Sequence, residues 1–264
     1  MIPGFEYETP TAEQIAQTVE EMMEAGDDDE KYLASYSKHV KAINQSSVNI
    51  SFGIYSLMDH DGNFYVGWET SVHRVSDNFF GDIKSVIEIT CSFDLKDGLP
   101  PEEGMKISRI MAMGMTYDGF LAVAMPGIIA VLDRNLGNMQ YILLENQAVD
   151  NGISIDKDGG NYRVTSKYMR KLVLDGKTLS DKDKNGAWKS EYDHVPNPIA
   201  LSRGAGNTPA LMGFVPDEDH LVFLTDAGVK IKVATFWRDE IPKDFVQKPG
   251  TKSNRIADRF EHID

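Results

Sequence analysis

Few side chains in this sequence stand at spacings that chemistry needs. The segment Asp181-Lys182-Asp183-Lys184-Asn185-Gly186 alternates side-chain oxygens and places glycine sixth, as the opening of a calcium loop does. Its twelfth position is Tyr192 where a bidentate glutamate belongs, and Glu191 falls one residue early, so it reads as a solvated hairpin loop with a weak surface calcium site as the alternative. The six histidines, His39, His60, His73, His194, His220 and His262, show none of the two- or four-residue pairings that strand or helix metal sites use. His60 and His220 fall inside turns and read as solvated. His73 follows a strand after Glu69 and His194 follows Tyr192-Asp193, which makes these two the candidates for a catalytic acid or base.

Other chemistries lose support from what the sequence lacks. It contains no G-x-S-x-G elbow, no H-E-x-x-H and no phosphate loop, which argues against serine hydrolases, zinc proteases and nucleotidases. Cys91 is the only cysteine, so no internal disulfide can form, and its Ile89-Thr90-Cys91-Ser92-Phe93 setting reads as a strand with an inert thiol. Met111, Met113 and Met115 alternate on one face of a strand as adaptable packing.

The formal charge of −14, from 41 acidic against 27 basic residues, opposes binding to nucleic acid or an anionic membrane and leaves small molecules or cations as partners. No run of residues has the length and apolarity of a membrane span, and the glutamate-rich start lacks the basic-then-apolar order of a signal peptide. A cytoplasmic protein is the resulting expectation.

These residues must be positioned by elements that a repeated turn reveals. A short apolar strand, an acidic or Asp-Gly turn and a second apolar strand recur at Tyr55 to Trp68, Gly114 to Met125, Gly152 to Ser166 and Leu211 to Asp226. Four such units at intervals of about 40 to 60 residues fit the small meandering sheets of a β-propeller. Residues 1–45 differ: Thr11 and Gln14 at capping-box spacing, with Ile15, Val19, Met22 and Met23 behind them, predict a helix over about 11 to 25. A second helix through Tyr32, Leu33, Tyr36 and Val40 would complete a helical hairpin. The expected fold is thus all-β, an incomplete or irregular propeller over 46–264 with about four recognisable blades of a six-bladed type, preceded by the hairpin. Residues 252–264 are polar enough to read as a loop. The three tryptophans, Trp68, Trp188 and Trp237, do not recur at one position per blade, which argues against propellers built on a repeated tryptophan motif.

Asn151-Gly152-Ile153-Ser154-Ile155-Asp156-Lys157-Asp158-Gly159 resembles the strand opening of the gluconolactonase, strictosidine synthase and paraoxonase group of six-bladed propellers. The resemblance covers residues 150–175 and extends to the other blades as a pattern. It implies a calcium ion at the channel mouth, with Asn151 as a ligand, Asp150 beside it, and Asn207 and Asp226 as further ligands if their loops converge. It also implies a calcium-assisted hydrolase of lactones or related esters, in which the cation polarises the carbonyl. Turn chemistry offers another account of the asparagines, since Asn tolerates unusual backbone angles and bonds its own loop. The alternative function is a non-catalytic propeller that binds a small molecule or protein, or a fragment without activity. Self-association through an open propeller edge is expected in either case.

Overall fold

The computed structural model describes residues 11–25, 28, 31, 34–35, 52–77, 79, 82–107, 109–144, 147, 149–176, 178–193, 204–228 and 230–261. Helix α1 (Ala12–Glu24) forms where the capping box predicts it. Thr11 Oγ1 accepts from the Gln14 amide at 3.2 Å while Gln14 Oε1 accepts from the Thr11 amide at 2.9 Å. Most of the second predicted helix lies outside the described residues. Among the described residues, no helix is long and apolar enough to cross a membrane.

Among the described residues the strands form four antiparallel sheets that resemble propeller blades. The first holds β1 (Phe52–Met58), β2 (Phe64–Trp68), β3 (Ser71–Asp77) and β4 (Ile87–Asp94) in chain order. The second holds β5 (Ala112–Met115), β6 (Leu121–Met125), β7 (Ile128–Leu132) and β8 (Gln140–Leu143). The third is β9 (Val149–Ile155), β10 (Gly160–Thr165), β11 (Tyr168–Asp175) and β12 (Thr178–Ser180), with β13 (Trp188–Glu191) also pairing on β11. The fourth is β14 (Ala210–Met212), β15 (Leu221–Thr225), β16 (Lys232–Trp237) and β17 (Ile256–Glu261).

Strand β17 corrects the sequence reading of 252–264 as loop. It pairs with β16, placing Ile256 opposite Phe236 and Phe260 opposite Val233. Its polar composition is that of an edge strand, where only one flank needs a hydrogen-bonded neighbour and charge discourages further pairing.

The repeated turn has a physical cause that the sequence only hinted at. In the first sheet Asp59 Oδ1 accepts from the amides of Asp61 and Asn63 at 3.0 and 2.9 Å, and Oδ2 accepts from the Tyr65 hydroxyl at 3.2 Å. The third sheet repeats this: Asp156 Oδ1 accepts from the amides of Asp158 and Gly160 at 2.9 and 2.8 Å, and Oδ2 from the Tyr162 hydroxyl at 2.7 Å. In the second sheet Thr116 takes the aspartate's place and bonds the Phe120 amide at 2.9 Å. Gly62, Gly119 and Gly159 close the three turns at φ of 81°, 83° and 82°, a region that favours glycine.

Packing runs from sheet to sheet. Tyr65, Val72 and Leu95 meet Met113, Leu121 and Leu132 between the first and second sheets. Ala112, Ala124 and Ile129 meet Leu172 between the second and third. Tyr162, Met169 and Trp188 meet Val222, Leu224 and Phe236 between the third and fourth. Among the described residues no core cluster joins the fourth sheet to the first. The opposite face of the first sheet presents Met58, Phe64, Trp68, Ile87 and Ile89 to solvent.

Candidate functional site

Three of the four residues expected to bind calcium, Asn151, Asn207 and Asp226, each lie on or bond to the segment 204–209 that enters the fourth sheet. Asn151, in β9 at φ 61°, donates through Nδ2 to the Ala205 carbonyl at 2.6 Å. The next amide, Gly152, donates to Thr208 Oγ1 at 3.0 Å, and Ser154 donates to the Pro209 carbonyl. Asn207 Oδ1 accepts from the Thr225 amide and hydroxyl at 2.7 and 2.8 Å, and its Nδ2 donates to the Thr208 carbonyl at 2.7 Å. Asp226 is buried, bridges to Ala205 through the backbone, and accepts from the Lys232 amide at 2.7 Å through Oδ1. The segment is thereby stitched between β9 and β15, which is turn and strand chemistry. Only Asp226 Oδ2 among the atoms of this set is buried without a hydrogen-bond partner. Asp150 lies in β9 opposite Val164. Among the described residues no group of three histidine, cysteine or acidic side chains could hold a metal ion.

The other sequence candidates are dispersed. His73 sits on β3 with Nδ1 2.7 Å from Ser92 Oγ, on the face turned away from the second sheet, and His194 lies outside the described residues. The 181–186 segment is exposed, and Asn185 bonds Ser180 Oγ at 2.8 Å, as a hairpin loop would. Cys91 is half-buried against the first core, with Sγ 3.3 Å from the Asn135 carbonyl.

Sequence reasoning missed a cleft of about 640 Å³ at the junction of the third and fourth sheets. That volume lies within the range of small-molecule sites. Lys171, centrally placed in β11, reaches it with its side chain only 11% exposed and donates to Asp239 Oδ1 at 2.8 Å. Trp188 forms another wall, held by its Nε1 donating to the Arg238 carbonyl at 2.9 Å and by stacking on Phe236 at 6.3 Å. The Arg255 guanidinium lies 4.8 Å from the Trp188 ring centroid. Arg255 NH1 donates to the carbonyls of Trp237 and Asp239 at 2.9 and 2.7 Å, which leaves Nε and NH2 uncommitted to these carbonyls. Asp183, Lys189, Glu240 and Ile241 also line it.

Asp239, also in the lining, joins Lys171 and His220, with Arg238 Nε 4.0 Å from its Oδ2. Its Oδ2 lies 2.7 Å from His220 Nδ1, while His220 Nε2 lies 3.0 Å from the Val215 carbonyl. A carbonyl only accepts, so Nε2 carries a proton, and a second proton on Nδ1 completes the bond to the carboxylate. The Val215 carbonyl first, and then Asp239, raise the His220 pKa above its ordinary value. Burial works to raise the Asp239 pKa, yet the bonds from Lys171 and His220 prevail and hold it below the usual carboxylate range. His220, expected to be a solvated turn residue, is instead the outer support of the cleft's central carboxylate. The sequence signal was available in the Arg170-Lys171 pair inside the apolar strand Tyr168–Asp175, since a lysine there must find a partner when buried.

No protein-family model matches the chain. It is 32% identical over 212 residues to an uncharacterized protein of Archaeoglobus fulgidus, an alignment covering 78% of this chain and 38% of the relative. The chain thus spans well under half of that relative's length. Among solved structures, a functionally unknown protein from Desulfotomaculum acetoxidans superposes with a TM-score of 0.46 at 13% identity, covering 71% of this chain and 52% of the other. The extracellular domain of a hybrid two-component system from B. thetaiotaomicron gives 0.41 at 12% identity, over 67% of this chain and 20% of the other.

Proposed function

We propose that this chain is a non-catalytic binding module whose cleft between the third and fourth sheets takes a small zwitterion of the amino-acid or short-peptide class. The observation that carries this reading is the Arg255 guanidinium stacked on Trp188 in one cleft with the carboxylates Asp183 and Glu240. A guanidinium suits a carboxylate group, and the acidic side chains suit an ammonium group at the other end of the same ligand. The Lys171–Asp239–His220 chain fixes the wall between them before a ligand arrives, which lowers the ordering cost of binding. Thermal unfolding with a panel of amino acids, dipeptides, dicarboxylates and amines tests it. Zwitterions should raise Tm where the singly charged analogues do not. Equal shifts from all four classes, or none from any, would reject the reading.

A second reading, that of a gluconolactonase-like calcium-assisted hydrolase, draws support from the unpartnered Asp226 Oδ2 beside the segment that also holds Asn151 and Asn207. Calcium should then raise Tm over a chelator at matched ionic strength, and Asp226→Asn should abolish the difference.

A further inference from the structure

Strand β10 is buried along its whole length, and one of its faces is polar. Asn161 pairs with Leu172, and Leu172 packs with Ala112, Ala124 and Ile129, so Asn161, Arg163 and Thr165 face the second sheet.

Arg163 has no solvent exposure. Its Nε donates to Asn161 Oδ1 at 2.9 Å, whereas NH1, NH2 and Asn161 Nδ2 are all buried without a hydrogen-bond partner in the protein. Directly across the ladder stands Arg170, whose Nε and NH2 reach the neutral oxygen Gln147 Oε1 at 3.3 and 3.1 Å. Two like charges opposite one another in a sheet repel, and a buried cation without a counter-charge costs several kcal/mol as an order of magnitude. Desolvation pushes the Arg163 guanidinium down to about 9.

We propose that Arg163 and Asn161 hold a small monovalent anion, a halide or a compact carboxylate, between the second and third sheets. Arg163 NH1 and NH2 and Asn161 Nδ2 supply unpartnered buried donors, and the anion offsets the paired positive charges of Arg163 and Arg170. This site is separate from the cleft at the third and fourth sheets and stands or falls independently of it.

The test is refolding of the full chain in gluconate, chloride, bromide or formate at matched ionic strength, followed by thermal unfolding, with Arg163→Met beside the native protein. Chloride and bromide should raise Tm by several degrees over gluconate if the anion is a halide, and formate should do so if it is a carboxylate. Arg163→Met should respond to none of them. Crystals grown in bromide give a second readout that needs no variant: an anomalous peak within hydrogen-bond reach of Arg163 for a halide, or formate density there for a carboxylate. Equal stability of the native protein in all four salts, or water in the fork under both anions, overturns the proposal. If Arg163→Met does not fold, the crystals decide.

Discussion

At the residue scale, the aspartates of this chain are chiefly turn-builders. The turn aspartates Asp59 and Asp156 direct their oxygens at their own backbone, and Asp156 also orients Tyr162, whose hydroxyl is driven upward in pKa by burial and then by Asp156. Asp156→Ala should therefore cost about 2–4 kcal/mol, since two amides and a buried hydroxyl lose their acceptor, measurable by urea unfolding. His220 provides the pH dependence. Its folded pKa is raised, so its contribution is fully present below its unfolded value and is lost as pH rises through the folded value. Asp239 acts in the opposite direction: its pKa is depressed, and its contribution, present above the unfolded value, is lost as pH falls through the folded one. Unfolding of His220→Gln across pH 5 to 9 should differ from native most at the acid end and converge at the alkaline end. A constant difference would contradict the imidazolium assignment.

Elements were legible where local chemistry decides them. Thr11 and Gln14 announce α1, and the Asp-x-Asp-Gly turns of Asp59 and Asp156 announce the first hairpins of the first and third sheets. The fourth sheet lacks that turn, and β17 was read as loop because its pairing with β16 is a tertiary fact that a polar edge strand does not advertise. The candidate cleft was opaque for a related reason: Lys171, Trp188, Asp239 and Arg255 come from four separate segments, and nothing in their spacing joins them. Asn151, Asn207 and Asp226 were found as a group, yet their local sequence could not say whether their oxygens face a cation or the backbone of residues 205 and 225. Trp188 helps to hold the junction between the third and fourth sheets, through Tyr162, Phe236, Arg255 and the Arg238 carbonyl. Trp188→Ala should destabilise by about 3–5 kcal/mol, seen as a lower denaturation midpoint.

On the scale of the whole molecule, three inter-sheet cores bind four sheets into a series, and the apolar outer face of the first sheet is left exposed. Ile87 and Ile89 are 73% and 63% exposed beside Met58, Phe64 and Trp68. Such a patch favours association. Sedimentation should show mass rising with concentration, and Ile87→Lys with Ile89→Lys should suppress it at unchanged Tm; a native protein that stays monomeric contradicts this. Fusing the sheets into one series also explains why the cleft can be rigid: its walls come from β11, β13 and the chain after β16, all anchored in the shared core of the third and fourth sheets.

The most direct test of the binding module is titration calorimetry of the full chain with the amino acid or dipeptide that shifts Tm most, repeated with Arg255→Met and with Glu240→Gln. The account predicts heat-producing one-to-one binding that weakens at least tenfold in each variant, measured at a temperature where both variants are folded; Glu240→Gln, at an exposed position, should keep native stability to within about 1 kcal/mol, whereas Arg255→Met also loses two carbonyl bonds and its contact with Trp188. Binding of equal strength in all three proteins would place the ligand elsewhere and contradict it.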